Sequence, residues 1–162
     1  MAADYEGSVE QVHQALLDEQ YWLARLADSG ADDATLNSIL LTSGGGVEVT
    51  TTQVLRAHRL PAVVSQFHHG DLEIRRAENW TGLVDGHADA TVSGSIPGAP
   101  VTLTGSAQLE PSDMLARLAF RATVEVRIPL VGGKVENFIG HQLVELLTAE
   151  QRFTTRWIAQ NG

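Results

Sequence analysis

The sequence contains no cysteine, which excludes disulfide bonds and thiolate metal sites and makes a reducing compartment acceptable. It also lacks an apolar run of about 18 residues and a charged-then-apolar leader, so we expect a soluble, cytoplasmic protein without stable membrane insertion. Basic side chains are scarce, since 11 Lys and Arg face 20 Asp and Glu. Nucleic acids and anionic membranes select clustered basic residues, so neither is an expected partner.

The negative charge concentrates at the amino-terminal end. Residues 1–33 hold eight acidic side chains and a single basic one, Arg25. We interpret this segment as a solvated face that promotes solubility. At 162 residues the chain fits one domain, residues 1–162, which is long enough to enclose an internal cavity.

Two short helices are predicted after an extended start at residues 2–6. Ser8 and Gln11 have the spacing of a capping box, which predicts a first helix through Leu16. Asp18 can cap a second helix that ends at Ser29 and Gly30.

From residue 34 the apolar period changes to the alternation that is typical of strands. The predicted strands cover residues 36–42, 47–56, 71–80, 86–96, 101–109 and 116–128, and the glycines at 44–46 join the first two as a hairpin. Residues 61–70 are expected to be irregular or briefly helical. Gly132 and Gly133 then precede one long amphipathic helix at residues 134–158. Successive strands with short links favour an antiparallel sheet, so the predicted fold class is α+β, with the last helix packed across the sheet.

Small residues recur on the apolar side of three predicted strands. They leave volume that either facing side chains or a ligand must occupy. Gly94 and Gly105 equally suit a sheet that bulges or curves around the helix. The inward residues are Ala88, Ala90, Val92, Gly94 and Ile96, then Val101, Leu103, Gly105, Ala107 and Leu109, then Leu118, Phe120, Ala122, Val124 and Val126.

The last helix carries one apolar stripe when its residues are placed 100° apart. Gln142 and Glu150 fall inside or beside this stripe, although a dry core disfavours both. Gln142 either hydrogen-bonds a strand or orients a ligand, and Glu150 either reaches solvent, pairs with an arginine or faces the cavity. The stripe contains Val135, Ile139, Leu146, Phe153 and Trp157, with Phe138 and Leu143 at its margins.

Arg76, Glu78 and Trp80 share one side of their strand by alternation. An arginine beside an apolar cavity can bind a ligand carboxylate through two parallel hydrogen bonds. Alternatively, the polar face of this strand points outward, where Arg76 pairs with Glu78 or a neighbour. We expect Trp80 to lie in the core.

The chain resembles an actinobacterial domain family of unknown function within the START-like superfamily, also called SRPBCC, which includes the birch pollen allergen. The similarity rests on Asp18-Glu-Gln-Tyr-Trp22, on Leu60-Pro61-Ala62, on the segment at residues 128–136, and on Glu150 with Phe153 and Trp157. The resemblance implies a helix-grip fold: a curved antiparallel sheet of about six or seven strands, two short amino-terminal helices and a long carboxy-terminal helix. It also implies an apolar cavity between the sheet and that helix, but not an activity, because this superfamily hosts binding proteins, cyclases and hydrolases.

Motifs for catalysis, metals and cofactors are weak or missing. His68, His69 and Asp71 are the densest cluster of titratable groups, but no third metal ligand has a recognisable spacing, and we interpret them as a solvated turn before a strand. The three consecutive glycines lack the Lys-Ser or Lys-Thr of a phosphate loop, and neither a nucleophile elbow nor a dinucleotide fingerprint occurs. We therefore predict no catalytic residue, no metal and no cofactor.

Three functions remain open at this point. The first is noncatalytic binding or transport of a hydrophobic small molecule, such as a lipid, an isoprenoid or a polyketide. The second is a cyclase or hydrolase that uses the same cavity, with Glu150 or the His68 and His69 pair as acid or base. The third is a protein-interaction module with a filled core and an unknown partner. The predicted ligand-binding residues are Arg76, Trp80, Leu103, Ala107, Phe120, Ala122, Val124, Phe138, Ile139, Gln142, Leu146 and Glu150.

Overall fold

The computed structural model describes residues 1–60, 62–65, 68–113, 115–128 and 132–161. Its strands are β1 (Ala2–Tyr5), β2 (Asp33–Leu41), β3 (Val47–Leu55), β4 (Leu72–Trp80), β5 (Ala88–Ser95), β6 (Val101–Ser112) and β7 (Leu115–Val126). Its α-helices are α1 (Val9–Leu16), α2 (Glu19–Asp28), α3 (Ala62–Ser65) and α4 (Gly132–Asn161), and a 3-10 turn covers Ala57–Arg59. Pro61 and residues 129–131, which carry part of the resemblance, lie outside the described residues.

The seven strands form one antiparallel, curved sheet in the order β1-β7-β6-β5-β4-β3-β2. Consecutive strands are neighbours from β2 to β7, and only β1 crosses the sheet to pair with β7. The predicted α+β helix-grip architecture is therefore confirmed, including the brief helix within residues 61–70.

Local sequence signals explain where the first helices begin. Ser8 accepts a hydrogen bond from the Gln11 backbone, and the Gln11 side chain accepts one from the Ser8 backbone, which completes the predicted capping box before α1. Asp18 caps α2 by accepting from the Gln20 backbone. Among the described residues, no helix is both long and apolar enough to cross a membrane.

The β2–β3 hairpin depends on glycine because its tip lies against the loop after β4. A Cβ on Gly46 would stand 2.1 Å from the carbonyl oxygen of Trp80, and one on Gly82 would stand 2.1 Å from that of Gly44. These positions exclude any side chain, since the opposing atoms belong to the backbone.

Two hydrophobic clusters fill the space between the sheet and the helices. The larger one joins α1 and α2 to the inward faces of β3 to β7, with Trp22, Val47 and Leu109 almost fully buried. The smaller one gathers Val101, Val126 and Val135 where α4 begins. Glu136 fixes that junction, because its side chain accepts a hydrogen bond from the backbone of Val126.

The buried stripe of α4 differs in part from the predicted one. Val135 is buried as expected, but Ile139, Leu146, Phe153 and Trp157 are only half-buried, while Leu147, Thr154 and Ile158 are buried instead. The stripe is displaced because α4 packs on β1 and β7 and also on α1 and α2. A helix covered from two sides buries a wider arc, whose centre is not that of its most apolar stripe.

Candidate functional site

Four charged side chains meet in the interior between β4, α2 and α4. They are Arg25 on α2, Arg76 and Glu78 on β4, and Glu150 on α4, and we call them the charged quartet. Their side chains are between 9% and 16% exposed. Two positive and two negative charges make the quartet neutral, which is the condition under which charges tolerate burial.

The two arginines hold the carboxylate of Glu150 between them. Arg76 donates two parallel hydrogen bonds to Glu150, one to each carboxylate oxygen and each 3.0 Å long. Arg25 donates from Nε to the same carboxylate at 3.0 Å, and its terminal nitrogen lies 2.7 Å from it. Glu78 pairs with both arginines, at 3.0 Å from Arg25 and 2.9 Å from Arg76. Such bidentate, charge-assisted contacts are the strong kind.

The pKa of Glu150 is set by two opposing effects. Burial alone would raise this pKa, but the charges and hydrogen bonds of Arg25 and Arg76 outweigh burial and lower it below its ordinary value. The two carboxylates in turn raise the pKa of Arg25 and of Arg76. Glu150 is therefore an ionised carboxylate whose oxygens are already hydrogen-bonded. Such a group is a poor general acid or base near neutral pH.

A hydrogen-bond relay connects the quartet to the backbone of α4. Arg25 donates to the Tyr21 hydroxyl at 3.4 Å, and this hydroxyl lies 2.6 Å from the Thr154 hydroxyl. Thr154 donates its single proton to the Glu150 carbonyl, so Tyr21 must be the donor to Thr154. Arg25 also stacks 4.4 Å from the centre of the Trp22 ring. These contacts fix the position of Arg25 before any ligand binds.

The quartet forms one wall of an interior cavity of about 30 Å³. The other walls are aromatic and aliphatic side chains of α1, α4 and the sheet, among them Leu16, Leu109, Phe120 and Leu147. This volume has room for about two water molecules. Most of the interior is therefore filled by side chains in this conformation.

A crevice of about 10 Å³ lies on the other side of the quartet. Trp22 of α2, Ser29 directly after α2, and Thr51 and Gln53 of β3 line it. Arg25, Arg76 and Glu150 border both spaces, so these three side chains are the partition between the crevice and the interior cavity.

Tyr5 places a further polar group at the interior cavity. The residue is 6% exposed and lines the cavity, yet its hydroxyl has no hydrogen-bond partner among the described residues. Burial raises the pKa of this hydroxyl, which keeps it neutral and able to donate. A donor on the cavity wall that has no protein partner is available to a bound molecule.

The inward face of the sheet is incompletely covered next to the cavity. Ala122 is exposed, although Phe120 and Val126 on the same side of β7 are buried. Its cross-strand neighbour Gly105 and the adjacent pair Leu103 and Val124 are half-buried. We call these four residues the uncovered strip. It begins one inward position beyond Ala107 and Phe120, which line the cavity.

The structure places eleven of the twelve predicted ligand-binding residues in three groups and separates Gln142 from them. Arg76, Trp80, Ala107, Phe120 and Glu150 line the interior cavity. Leu103, Ala122 and Val124 belong to the uncovered strip. On α4, Phe138, Ile139 and Leu146 are half-buried outside the cavity, with Ile139 packed against the smaller cluster. The prediction that Gln142 lies in the buried stripe is wrong, because this residue is exposed on the side of α4 that faces away from Leu147.

Of the two orientations considered for Arg76, the outward one is wrong and the one beside the cavity is correct. Arg76 and Glu78 point inward together with the buried Trp80. The predicted pairing of Arg76 with Glu78 is confirmed, as is the pairing of Glu150 with an arginine. Sequence reasoning missed Arg25, Glu78, Tyr5, Tyr21 and Thr154 as members of the site. One signal was available: Arg25 is the lone basic residue of an acidic segment and follows Tyr21 and Trp22 by one helical turn.

The histidine cluster does not form a catalytic arrangement. The ring of His68 contacts the Asp71 backbone carbonyl, and His69 is exposed. The Asp71 carboxylate accepts from Arg56 and the Ala57 backbone, so it does not orient a histidine. Within the described ranges, no group of His, Asp and Glu side chains could hold a metal ion.

Comparison with solved structures supports the fold. The crystal structure of TTHA0849 from Thermus thermophilus matches with a TM-score of 0.62 and 12% identity, covering 100% of this chain and 97% of that one. A conserved protein from Geobacillus kaustophilus matches with a TM-score of 0.59 and 14% identity, covering 98% and 93%. At these identities the likeness concerns the fold alone.

Sequence comparison identifies nearer relatives. The uncharacterized protein Rv0481c of Mycobacterium tuberculosis H37Rv is 49% identical over 167 residues, which cover 99% of this chain and 96% of that protein. The uncharacterized protein Mb0491c of Mycobacterium bovis matches to the same extent. The family model described as "Protein of unknown function (DUF2505)" matches residues 1–158.

Proposed function

We propose that this chain, which belongs to the DUF2505 family of proteins of unknown function, binds a small amphipathic molecule between the sheet and α4. The observation that carries this proposal is the combination of apolar and buried charged walls around one interior cavity. Apolar side chains usually stabilise a protein core as much as buried ion pairs do, so stability alone does not explain the charged wall. Perturbed charged groups at a cavity are typical of ligand sites.

The size of the cavity defines how such binding must occur. Pockets for small organic molecules measure about 300 to 1,000 Å³, which is about ten to thirty times the volume of this cavity. Binding therefore requires α4 to move away from the sheet. The uncovered strip supports this route, because Ala122 is already exposed and the first half of α4 buries few of its side chains there. The START-like resemblance, in which the ligand lies under the last helix, points to the same place.

The apolar part of the ligand would lie along the uncovered strip and the polar part at the quartet. Residues 139 and 150 of α4 are separated by roughly 16 Å along the helix, at 1.5 Å per residue. A chain of about a dozen carbons spans that distance. Lipids, isoprenoids and polyketide-like molecules all offer apolar parts of this length.

The proposal is tested by recovering and then excluding a ligand. Native mass spectrometry of gently purified protein, followed by organic extraction, should yield an amphipathic molecule bound one to one. An environment-sensitive apolar dye should bind at a single site. Ala107→Leu fills the cavity and Ala122→Leu fills the uncovered strip. Each substitution should lower the affinity for the dye at least fivefold.

Ala119→Leu is the matched control, since Ala119 lies on the opposite face of the same strand as Ala122. Circular dichroism establishes that each variant is folded. Equal dye binding by all three folded variants would refute the proposed site.

One observation favours a second candidate, a protein-interaction module. The interior is nearly filled, and Leu41 and Val84 are each 68% exposed near the hairpin tip that contacts Gly82. This candidate predicts no extracted ligand and no saturable dye binding. A polar double variant, Leu41→Ser with Val84→Ser, would then abolish recovery of the partner from a cell extract and leave thermal stability unchanged.

A further inference from the structure

We infer that the ligand carries a single carboxylate, and that this carboxylate binds between Arg25 and Arg76 in the place now occupied by the side chain of Glu150. This inference rests on the proposed function and adds the chemical class of the ligand: an amphipathic monocarboxylic acid. Glu150 then acts as an internal substitute for the ligand head group.

The geometry around Glu150 is that of a prepared carboxylate site. Arg76 binds both carboxylate oxygens in parallel, and Arg25 approaches from a second direction on another element. Both arginines keep their positions independently of Glu150, because Glu78 pairs with each and Tyr21 and Trp22 hold Arg25. Planar guanidinium groups of this arrangement recognise any carboxylate of suitable reach.

Charge balance limits the ligand to one negative charge. Arg25 and Arg76 contribute two positive charges, and Glu78 and Glu150 contribute two negative charges. Withdrawal of Glu150 leaves a buried net charge of plus one, which one carboxylate restores to neutrality. A neutral head group would leave the charge uncompensated, and addition of an anion without loss of Glu150 would make the site negative.

Glu150 is the member of the quartet that can leave. It is the only one on α4, the helix that must move for a chain to enter, whereas Arg76 and Glu78 are fixed in the sheet. It also has the most exposed side chain of the four, at 16%, and borders the crevice on the far side. Displaced in that direction, its carboxylate regains water. The unpartnered hydroxyl of Tyr5 is a further donor on the cavity side.

The test compares dodecanoic acid with dodecanol, which has the same chain and no charge, on the full-length protein. Glu150→Ala removes the competing carboxylate and should bind dodecanoic acid at least tenfold more tightly than wild type by isothermal titration calorimetry. Its affinity for dodecanol should change less than twofold. Glu145→Ala is the matched control, because it removes the same charge from an exposed position of the same helix. It should behave like wild type with both molecules.

A second measurement separates the head-group site from the apolar site. Acetate, which has no chain, should raise the melting temperature of Glu150→Ala in a saturable manner and leave wild type and Glu145→Ala unchanged. If Glu150→Ala does not fold, Glu150→Gln replaces it in both measurements, with the same directions expected.

The outcomes distinguish the two proposals. In one outcome dodecanol binds, but Glu150→Ala has the same affinity for dodecanoic acid as wild type and acetate does not change its melting temperature. The carboxylate inference is then overturned and the proposed function stands. If acetate stabilises Glu150→Ala while neither long-chain molecule binds any variant, the arginine pair binds small anions and the proposed amphipathic ligand is overturned. If Glu150→Ala binds dodecanoic acid more tightly than wild type and is stabilised by acetate, both the carboxylate inference and the proposed function are supported.

Discussion

Loss of Glu150 alone should destabilise the protein far more than joint loss of Glu150 and its partner Arg76. Glu150→Met removes one carboxylate that accepts three hydrogen bonds from two arginines, and leaves the interior with one unpaired positive charge. Breaking a buried ion pair in this way costs about 3 to 5 kcal/mol. Domains of this size are stable by about 5 to 15 kcal/mol, so the variant should remain measurable.

The double variant Arg76→Met with Glu150→Met restores neutrality. Arg25 and Glu78 remain paired at 3.0 Å, and methionine has an adaptable side chain of similar length to those removed. We expect its free energy of unfolding to lie within about 1.5 kcal/mol of wild type, because balanced apolar replacements of buried ion pairs are often neutral. The two substitutions are therefore strongly non-additive, by at least about 2 kcal/mol.

Urea denaturation followed by circular dichroism at pH 7, in a buffer free of carboxylates, measures wild type, Glu150→Met, Arg76→Met and the double variant. Glu145→Met serves as a control for removing a charge from an exposed position of α4, where a change within about 0.5 kcal/mol is expected. The reasoning would be refuted by a Glu150→Met cost below about 1 kcal/mol. That result would mean that water reaches the arginines freely and that the quartet is a surface network.

Three further predictions follow from other parts of the structure. Leu147→Ala should cost about 2 to 5 kcal/mol in reversible denaturation and Leu146→Ala clearly less, because Leu147 is buried and Leu146 half-buried; the reverse order would contradict the orientation of α4. Gly46→Ala should lower the melting temperature by at least 5 °C, since its Cβ would meet a backbone oxygen, whereas Gly44→Ala, which meets no atom within 4 Å, should shift it by less than 2 °C. As pH falls below the ordinary glutamate pKa of 4.5, wild type should lose stability more steeply than Glu150→Gln. The lowered pKa of folded Glu150 contributes stability that is complete above 4.5 and is lost progressively as pH falls from 4.5 through that lower pKa. Parallel slopes in urea midpoints between about pH 6 and pH 3 would contradict this.

Element order and strand faces could be predicted because they depend on local patterns. Caps at Ser8 and Asp18 and turns rich in glycine mark the ends of elements, and the alternation of β5 correctly assigns Ala88, Ala90 and Val92 to the interior. These signals arise within a few residues, so no knowledge of tertiary contacts is required. The pairing of β1 with β7 joins residues more than 100 positions apart, and no local pattern predicts it.

The orientation of α4 shows where periodicity becomes insufficient. The apolar residues of α4 are so numerous that the periodicity fits two alternative buried faces, one centred on Leu146 and one centred on Leu147. The choice depends on what covers the helix, and here Tyr21 of α2 contacts Phe153 and Trp157 from the side. Those aromatic contacts allow Phe153 and Trp157 to be half-buried while Leu147 and Ile158 take the centre. A pattern computed on one helix cannot include the neighbour that divides its faces.

The charged quartet was nevertheless implied by β4 itself. Alternation assigns Arg76, Glu78 and Trp80 to one side of the strand, and a tryptophan in the core then requires the other two to face inward as well. An outward Arg76 and a core Trp80 are therefore incompatible on a regular strand. Once Arg76 and Glu78 face inward, burial demands partners that complete their hydrogen bonds. Arg25 on α2, which stacks on Trp22 of the same helix, and Glu150 on α4 supply them. A strand with two opposite charges beside a core tryptophan thus predicts both an interior ion network and countercharges on the helices that cover it.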